Sequence, residues 1–289
     1  MTQRFHAKAV LLTASLLAAA CSQSSATKPE PSEPQQATSG AEAAIQVATQ
    51  ELAYSAGDTA LKGFLAYPAG TTDKRPGVLI VHEWWGLNEY VRTRARMLAE
   101  LGYVALAIDM YGDGKSSEHP EDAKQYMMEV AGNQAEATRR FEAGRAALAG
   151  DQHVDANKLA AIGYCFGGAV VLGAARRGAD LDLVASFHGN YATPTPMAKD
   201  AFHGKLFIAH GAADSFAPPA QVEGLKRELD AASAQYELVI YEGAKHGFTN
   251  PAATELGQKN GMDVAYDAAA DTQSWSKLKE LLQQAFAAP

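Results

Sequence analysis

Two hydrophobic periods alternate along the chain from about residue 46 onward. Runs 46–54 and 59–67, rich in alternating apolar positions, are joined by Ser55-Ala56-Gly57-Asp58 and predict an antiparallel hairpin. Residues 77–81 (GVLIV) are apolar without a break, the pattern of a strand covered on both faces. In the segment 88–101, Val91, Ala95, Leu98 and Ala99 share one face while Arg92, Arg94 and Arg96 lie elsewhere, which predicts a helix ending at Gly102. The alternation continues with a strand at 103–108, helices within 121–130 and 133–149, a strand at 158–163 and a helix at 166–177. Strands at 183–187, 206–210 and 237–241, a helix at 219–232 and a last helix from about 262 to 286 complete it. Repeated β-α units of this kind predict one α/β domain over 45–289, built on a doubly wound, mostly parallel sheet with the hairpin at its N-terminal end.

The first 44 residues read differently. Arg4 and Lys8 precede an apolar run, 9–17, that ends in Ala18-Ala19-Ala20-Cys21. This is the pattern of a secretory signal peptide over 1–21, too short to span a membrane comfortably. A cysteine after small residues resembles the lipobox of bacterial lipoproteins, which makes Cys21 the candidate lipidation site and new N-terminus; ordinary cleavage near Ala20 is the alternative. Residues 22–40 (SQSSATKPEPSEPQQATSG) have almost nothing apolar to bury, so 22–44 reads as a disordered tether. The chain is therefore expected to be exported, facing the periplasm as a lipoprotein or free in it. Ser22 after Cys21 resembles the outer-membrane sorting pattern of Gram-negative lipoproteins.

Charge and cysteine content narrow the partners. The formal net charge is −8, and loss of Arg4 and Lys8 with the leader makes the body two units more negative. An acidic body argues against nucleic acid or anionic lipid as a binding surface, which leaves the N-terminal anchor as the membrane contact. Of two cysteines, one is Cys21, so Cys165 has no partner if Cys21 carries lipid. A free thiol in an oxidising compartment is either a buried apolar side chain or a reactive one.

Its surroundings favour reactivity. In doubly wound sheets, reactive groups collect at the carboxyl ends of strands, and five predicted strand ends carry them: His82-Glu83, Asp109, Cys165, Asp214 and His246. Gly163-Tyr164-Cys165-Phe166-Gly167 fits the nucleophile elbow G-x-S-x-G with cysteine for serine. The glycines permit the tight turn, and the turn sets the next N–H, that of Phe166, at a helix N-terminus where it can hold an oxyanion. Elbow hydrolases run nucleophile, acid, base along the chain, and here Cys165 is followed by Asp214 in HGAAD and His246 in GAKHGF. His188 and His210 are rival bases but precede the acid, and the rival acids Asp182 and Glu242 fit the order less well.

With these residues in place the chain resembles the dienelactone hydrolase family of α/β-hydrolases. The resemblance covers nearly all of 57–285 and rests further on "VHEWWGLNEYVR" (81–92), "GYVALAIDMYGDG" (102–114) and "HGAADSFAPP" (210–219). It implies that Glu83 contacts the resting thiol and helps to deprotonate it when substrate binds. It also implies that the N–H of Trp84 joins that of Phe166 in an oxyanion hole. A free thiol of ordinary pKa, about 8.5, needs a base, and His246 oriented by Asp214 supplies one. A thiol held neutral between turnovers would also resist oxidation. In the other reading Glu83 is a surface glutamate or pairs with Arg92.

The nucleophile limits the substrate to a small carboxylic ester or lactone, enol esters and enol lactones best of all. Thiolate leaves a tetrahedral intermediate more easily than alkoxide or amide nitrogen, so poor leaving groups return to substrate. The chain departs from the family in one respect: family members that act on dienelactone clamp its carboxylate with arginines, one shortly after the catalytic histidine. Residues 247–251 (GFTNP) contain none, and 118–130 offers only Lys124. An uncharged ester thus stands beside an anionic lactone as candidate substrate. Trp84 and Trp85 read equally as a pocket wall and as core. No metal motif, phosphate loop or dinucleotide fingerprint is present, so no cofactor is expected. A catalytically idle binding platform, and a peptidase or acyltransferase on the same triad, are the rival functions; oligomeric state is not legible.

Overall fold

The computed structural model describes residues 45–287. The expected leader, tether and lipidation site at Cys21 lie outside these residues. Eight strands form one sheet: β1 (Val47–Ala56), β2 (Thr59–Pro68), β3 (Arg75–Val81), β4 (Val104–Ile108), β5 (Val154–Tyr164), β6 (Leu183–Phe187), β7 (Lys205–Gly211) and β8 (Gln235–Tyr241). Seven helices flank it: α1 (Glu89–Glu100), α2 (Pro120–Ala131), α3 (Gln134–Ala149), α4 (Phe166–Arg176), α5 (Pro219–Ala231), α6 (Ala253–Asn260) and α7 (Ala268–Ala287).

The spatial order is β1-β2-β4-β3-β5-β6-β7-β8. β1 pairs antiparallel with β2, and β2 with β4, while β4-β3-β5-β6-β7-β8 are all parallel. Central strands are mostly apolar along their buried lengths because both faces are covered, yet each still alternates. Leu79, Val81, Leu106, Ile108, Ala161 and Val184 point to one face, against Phe141 of α3, Val171 of α4 and Leu225 of α5. Val78, Ile80, Ala105, Ala107, Ile162 and Phe207 point to the other, against Val91 and Leu98 of α1 and Leu278 of α7. Removal of this apolar surface from water, at roughly 25 cal/mol per Å², is the main favourable term in the fold.

The hairpin turn is tighter than the sequence implies. Pairing runs to Ala56↔Thr59, leaving a two-residue loop with Gly57 at φ 59°, as two-residue hairpins require. A larger difference lies at the C-terminus, where one helix is expected from residue 262. That helix, α7, starts only at Ala268, and a separate helix that the pattern did not mark, α6, comes before residue 262 and ends at Gly261 in the left-handed region at φ 63°. Asp267 then accepts the N–H groups of Ala269 and Ala270 at the start of α7. The residues between pair with the loop after β8: Ala265 N–H donates to His246 O and Asp267 N–H to Phe248 O.

This topology creates the site. The chain goes from β3 to β4 on one side and reaches β5 on the other, so order reverses between β3 and β5. A crevice opens at such a switch point beyond the strands' carboxyl ends, where Glu83 and Cys165 emerge.

Candidate active site

Cys165 is the N-cap of α4, with φ 53° and ψ −114°, a strained backbone of the kind found at functional sites. Close packing forces the turn. A Cβ on Gly163 would lie 2.1 Å from Gly167 O, and one on Gly167 would lie 2.2 Å from Val81 O and 2.7 Å from His82 O. The start of α4 is thus pressed on the end of β3, which brings the loop carrying Trp84 close to the N-terminus carrying Phe166. The Cys165 N–H is shared between Phe187 O at 3.0 Å and His188 Nδ1 at 3.1 Å. These bonds hold the turn without using the sulfur.

Asp214 and His246 arrive from the loops after β7 and β8. Asp214 is fully buried and both its oxygens are used: Oδ2 accepts from His246 Nδ1 at 2.9 Å, and Oδ1 accepts the N–H groups of Phe216 and Ala217 at 2.9 and 3.2 Å. His246 and Cys165 line the same cavity, and the sulfur bears on the protonation of the imidazole. Burial pushes the His246 pKa down, but charge on Cys165 and the bond to Asp214 overcome this and raise it to about 10. The imidazolium that forms when His246 takes the thiol proton is therefore stabilised where it stands. The ring of Phe216 lies over His246 with centroids 4.8 Å apart.

Glu83 lines the same cavity as Cys165. Its Oε2 accepts from Asn250 Nδ2 at 2.6 Å. It does not pair with Arg92, whose partner is Glu51 at 3.6 Å. Burial raises the Glu83 pKa to about 7, against the Asn250 bond and the charges of His246 and Arg94, which lower it. A neutral amide offsets the desolvation of the carboxylate less than a cation would, so this buried acid titrates near neutrality.

The rival residues have other partners. His188, fully buried, accepts the Cys165 N–H at Nδ1, which fixes the proton on Nε2 and directs it to Thr249 Oγ1 at 2.7 Å. His210 Nδ1 meets the Tyr191 hydroxyl at 3.1 Å. Asp182 accepts the Leu159 N–H away from the crevice, and Glu242 is exposed. Two other polar strand ends organise loops. His82 Nε2 accepts the Met110 N–H, so its Nδ1–H donates to Glu83 O. Asp109 accepts the N–H groups of Lys62, Tyr111, Gly112 and Gly114.

A support network is absent from the sequence reading. Arg94 of α1, buried, donates to Thr249 O at 2.6 Å and to Asp271 of α7 at 2.5 Å. Thr249 Oγ1 also meets the Tyr90 hydroxyl at 2.7 Å. The loop bearing His246 and Asn250 is thereby pinned to both helices on that face. No local signal marks these contacts, which join residues 155 and 177 positions apart.

A cavity of about 480 Å³ opens beside the sulfur. Glu83, Cys165, His246 and Asn250 line its floor, and Trp84, Trp85, Met127, Phe216, Leu256 and Met262 its walls. Both tryptophans therefore face it, although Trp85 is also buried. Among the described residues no group of three or more His, Cys, Asp or Glu is placed to hold a metal ion.

Known proteins resemble the chain over nearly this whole body. A Synechocystis protein named as a candidate carboxymethylenebutenolidase is 28% identical over 241 residues, 77% of this chain and 91% of the relative. A crystal structure of a dienelactone hydrolase-like promiscuous phosphotriesterase from metagenomic libraries superposes with a TM-score of 0.77 at 32% identity, covering 82% of this chain and 98% of that one. The dienelactone hydrolase of Anabaena variabilis shares the fold at 19% identity, with a TM-score of 0.59 over 83% of this chain and 98% of its own. The model of the dienelactone hydrolase family matches residues 61–286, nearly all of the sheet, both support helices and every candidate catalytic residue, and the chain belongs to that family of hydrolases.

Proposed function

We propose that the protein hydrolyses carboxylic esters or enol lactones with Cys165 as nucleophile. The observation that carries this is the strained Cys165 at the start of α4, sharing one cavity with a His246 that Asp214 holds by its Nδ1. His246 Nε2 takes the thiol proton as sulfur attacks the carbonyl carbon. The carbonyl oxygen becomes an oxyanion, held by the N–H groups of Trp84 and Phe166. Collapse breaks the bond to the alcohol oxygen, which receives the proton from His246, and leaves an acyl group on sulfur. Water then gives its proton to His246 and attacks the thioester; the acid departs and Cys165 recovers its proton. Glu83 at the cavity floor influences the protonation of this pair through its own charge. In the cell we place this domain outside the inner membrane, tethered through Cys21.

A panel of aryl esters, enol lactones and anilides tests this. Esters and lactones are expected to turn over, and anilides at least about 10³-fold more slowly, because an amide nitrogen leaves less readily than thiolate. Equal turnover of anilides would favour a peptidase. No turnover of any member would favour the binding platform. Given the metagenomic relative's name, an aryl phosphotriester belongs in the panel as a secondary substrate.

A further inference from the structure

We infer that this site takes uncharged esters or lactones whose bulk is alkyl or aromatic, and rejects those that carry a carboxylate beside the scissile group. The inference rests on the hydrolase reading above and names its substrate class. Three features of the cavity support it.

The walls are largely apolar: Trp84, Trp85, Met127, Phe216, Leu256 and Met262 offer rings, thioethers and an alkyl chain, and the two indole N–H groups are neutral donors that cannot replace a counter-ion. The floor holds a carboxyl of its own, Glu83, and its bonded partner there is the neutral Asn250. Among the described residues, the cations beside the floor are already taken up. Arg94 is spent on Thr249 O and Asp271, behind the floor. His246 is bonded to Asp214 and shares the cavity with Cys165. Lys124 lies at the exposed mouth together with Glu121, one charge of each sign in water, where screening leaves either little effect. A substrate carboxylate would therefore lose its hydration next to Glu83 without gaining a counter-ion.

The groups that act on Glu83 are Asn250 and His246 from the loop after β8, Arg94 from α1 and the phenols of Tyr90 and Tyr164. Its midpoint of about 7 gives the selectivity a pH signature. Below that midpoint Glu83 is neutral and an anionic substrate meets only the desolvation cost; above it, Coulomb repulsion is added. Discrimination therefore grows as pH rises through 7.

The test compares 4-nitrophenyl pentanoate with 4-nitrophenyl hemiglutarate, similar in length and with the same leaving group, after subtraction of spontaneous hydrolysis. The ratio of their kcat/KM values cancels the titration of the shared catalytic groups. It is expected to favour the neutral ester by about 30-fold or more at pH 6 and by several-fold more at pH 8, as burial of an unpaired charge implies. In Glu83→Gln the ratio is expected to lose its pH dependence even if both rates fall. Along acetate, butanoate and hexanoate esters, kcat/KM is expected to rise about threefold to fourfold per methylene until the cavity is filled. Equal kcat/KM for the two esters, flat with pH, would overturn this inference and leave the hydrolase reading standing. No turnover of either ester would overturn both.

Discussion

Cys165→Ala is expected to lower kcat/KM for an aryl ester by about 10⁴-fold or more, with the fold intact. The magnitude follows from removing a nucleophile whose partners remain: the oxyanion donors and the cavity still bind and polarise the carbonyl, but no group on the enzyme can form the acyl intermediate. Stability is expected to hold because the turn at Cys165 is kept by its backbone. The N–H is fixed on Phe187 O and His188, and the glycines on either side pack against Gly167 O and Val81 O. Alanine retains the same Cβ. A thermal unfolding curve beside the rate measurement separates the two effects, since an unchanged midpoint with lost turnover assigns the loss to the sulfur.

Asp214→Asn is expected to lower kcat by about 10³- to 10⁴-fold with a much smaller change in KM. Both carboxylate oxygens accept hydrogen bonds, one from His246 and the other from the N–H groups of Phe216 and Ala217. An asparagine has one acceptor and one donor. If its oxygen keeps the two backbone N–H groups, its NH₂ faces His246 Nδ1, which must then give up its proton and carry it on Nε2, toward Cys165. That tautomer has no lone pair for the thiol proton. The Asp214 bond and charge also help to hold His246 up at about 10, so the variant loses part of the stabilisation of the imidazolium. A side chain that served only as a loop cap would change stability and leave kcat alone.

How much of this was legible depended on whether the signal was local. An uninterrupted run such as 77–81 marks a central parallel strand because both faces are buried, and the elbow is legible because Gly163 answers a clash with Gly167 O only four residues on. The order of Cys165, Asp214 and His246 is likewise a one-dimensional fact. What the sequence hides is carried by long-range pairing. The segment 262–267 was expected to be helical, but its pairing with the His246 loop keeps it irregular and α7 begins only after it. The bond between Glu83 and Asn250, 167 positions apart, forms only when the loop after β8 comes to the end of β3. Arg94, one of three arginines in α1 that read as polar-face residues, turns inward to Thr249 and Asp271 for the same reason. The absence of an arginine in 247–251 was visible in the sequence; that Asn250 takes up Glu83 there was not.

Whether Cys165 carries the acyl group is read out by intact-protein mass spectrometry of the enzyme quenched in acid during turnover of a slow aryl ester. The expected result is a mass increase equal to one acyl group replacing one hydrogen, mapped by digestion to the peptide containing Cys165, that builds in wild type and accumulates further in Asp214→Asn relative to its rate of turnover. The adduct is absent in Cys165→Ala. Product release with no adduct at any quench time in either protein, or an adduct on a residue other than Cys165, would rule out Cys165 as the nucleophile.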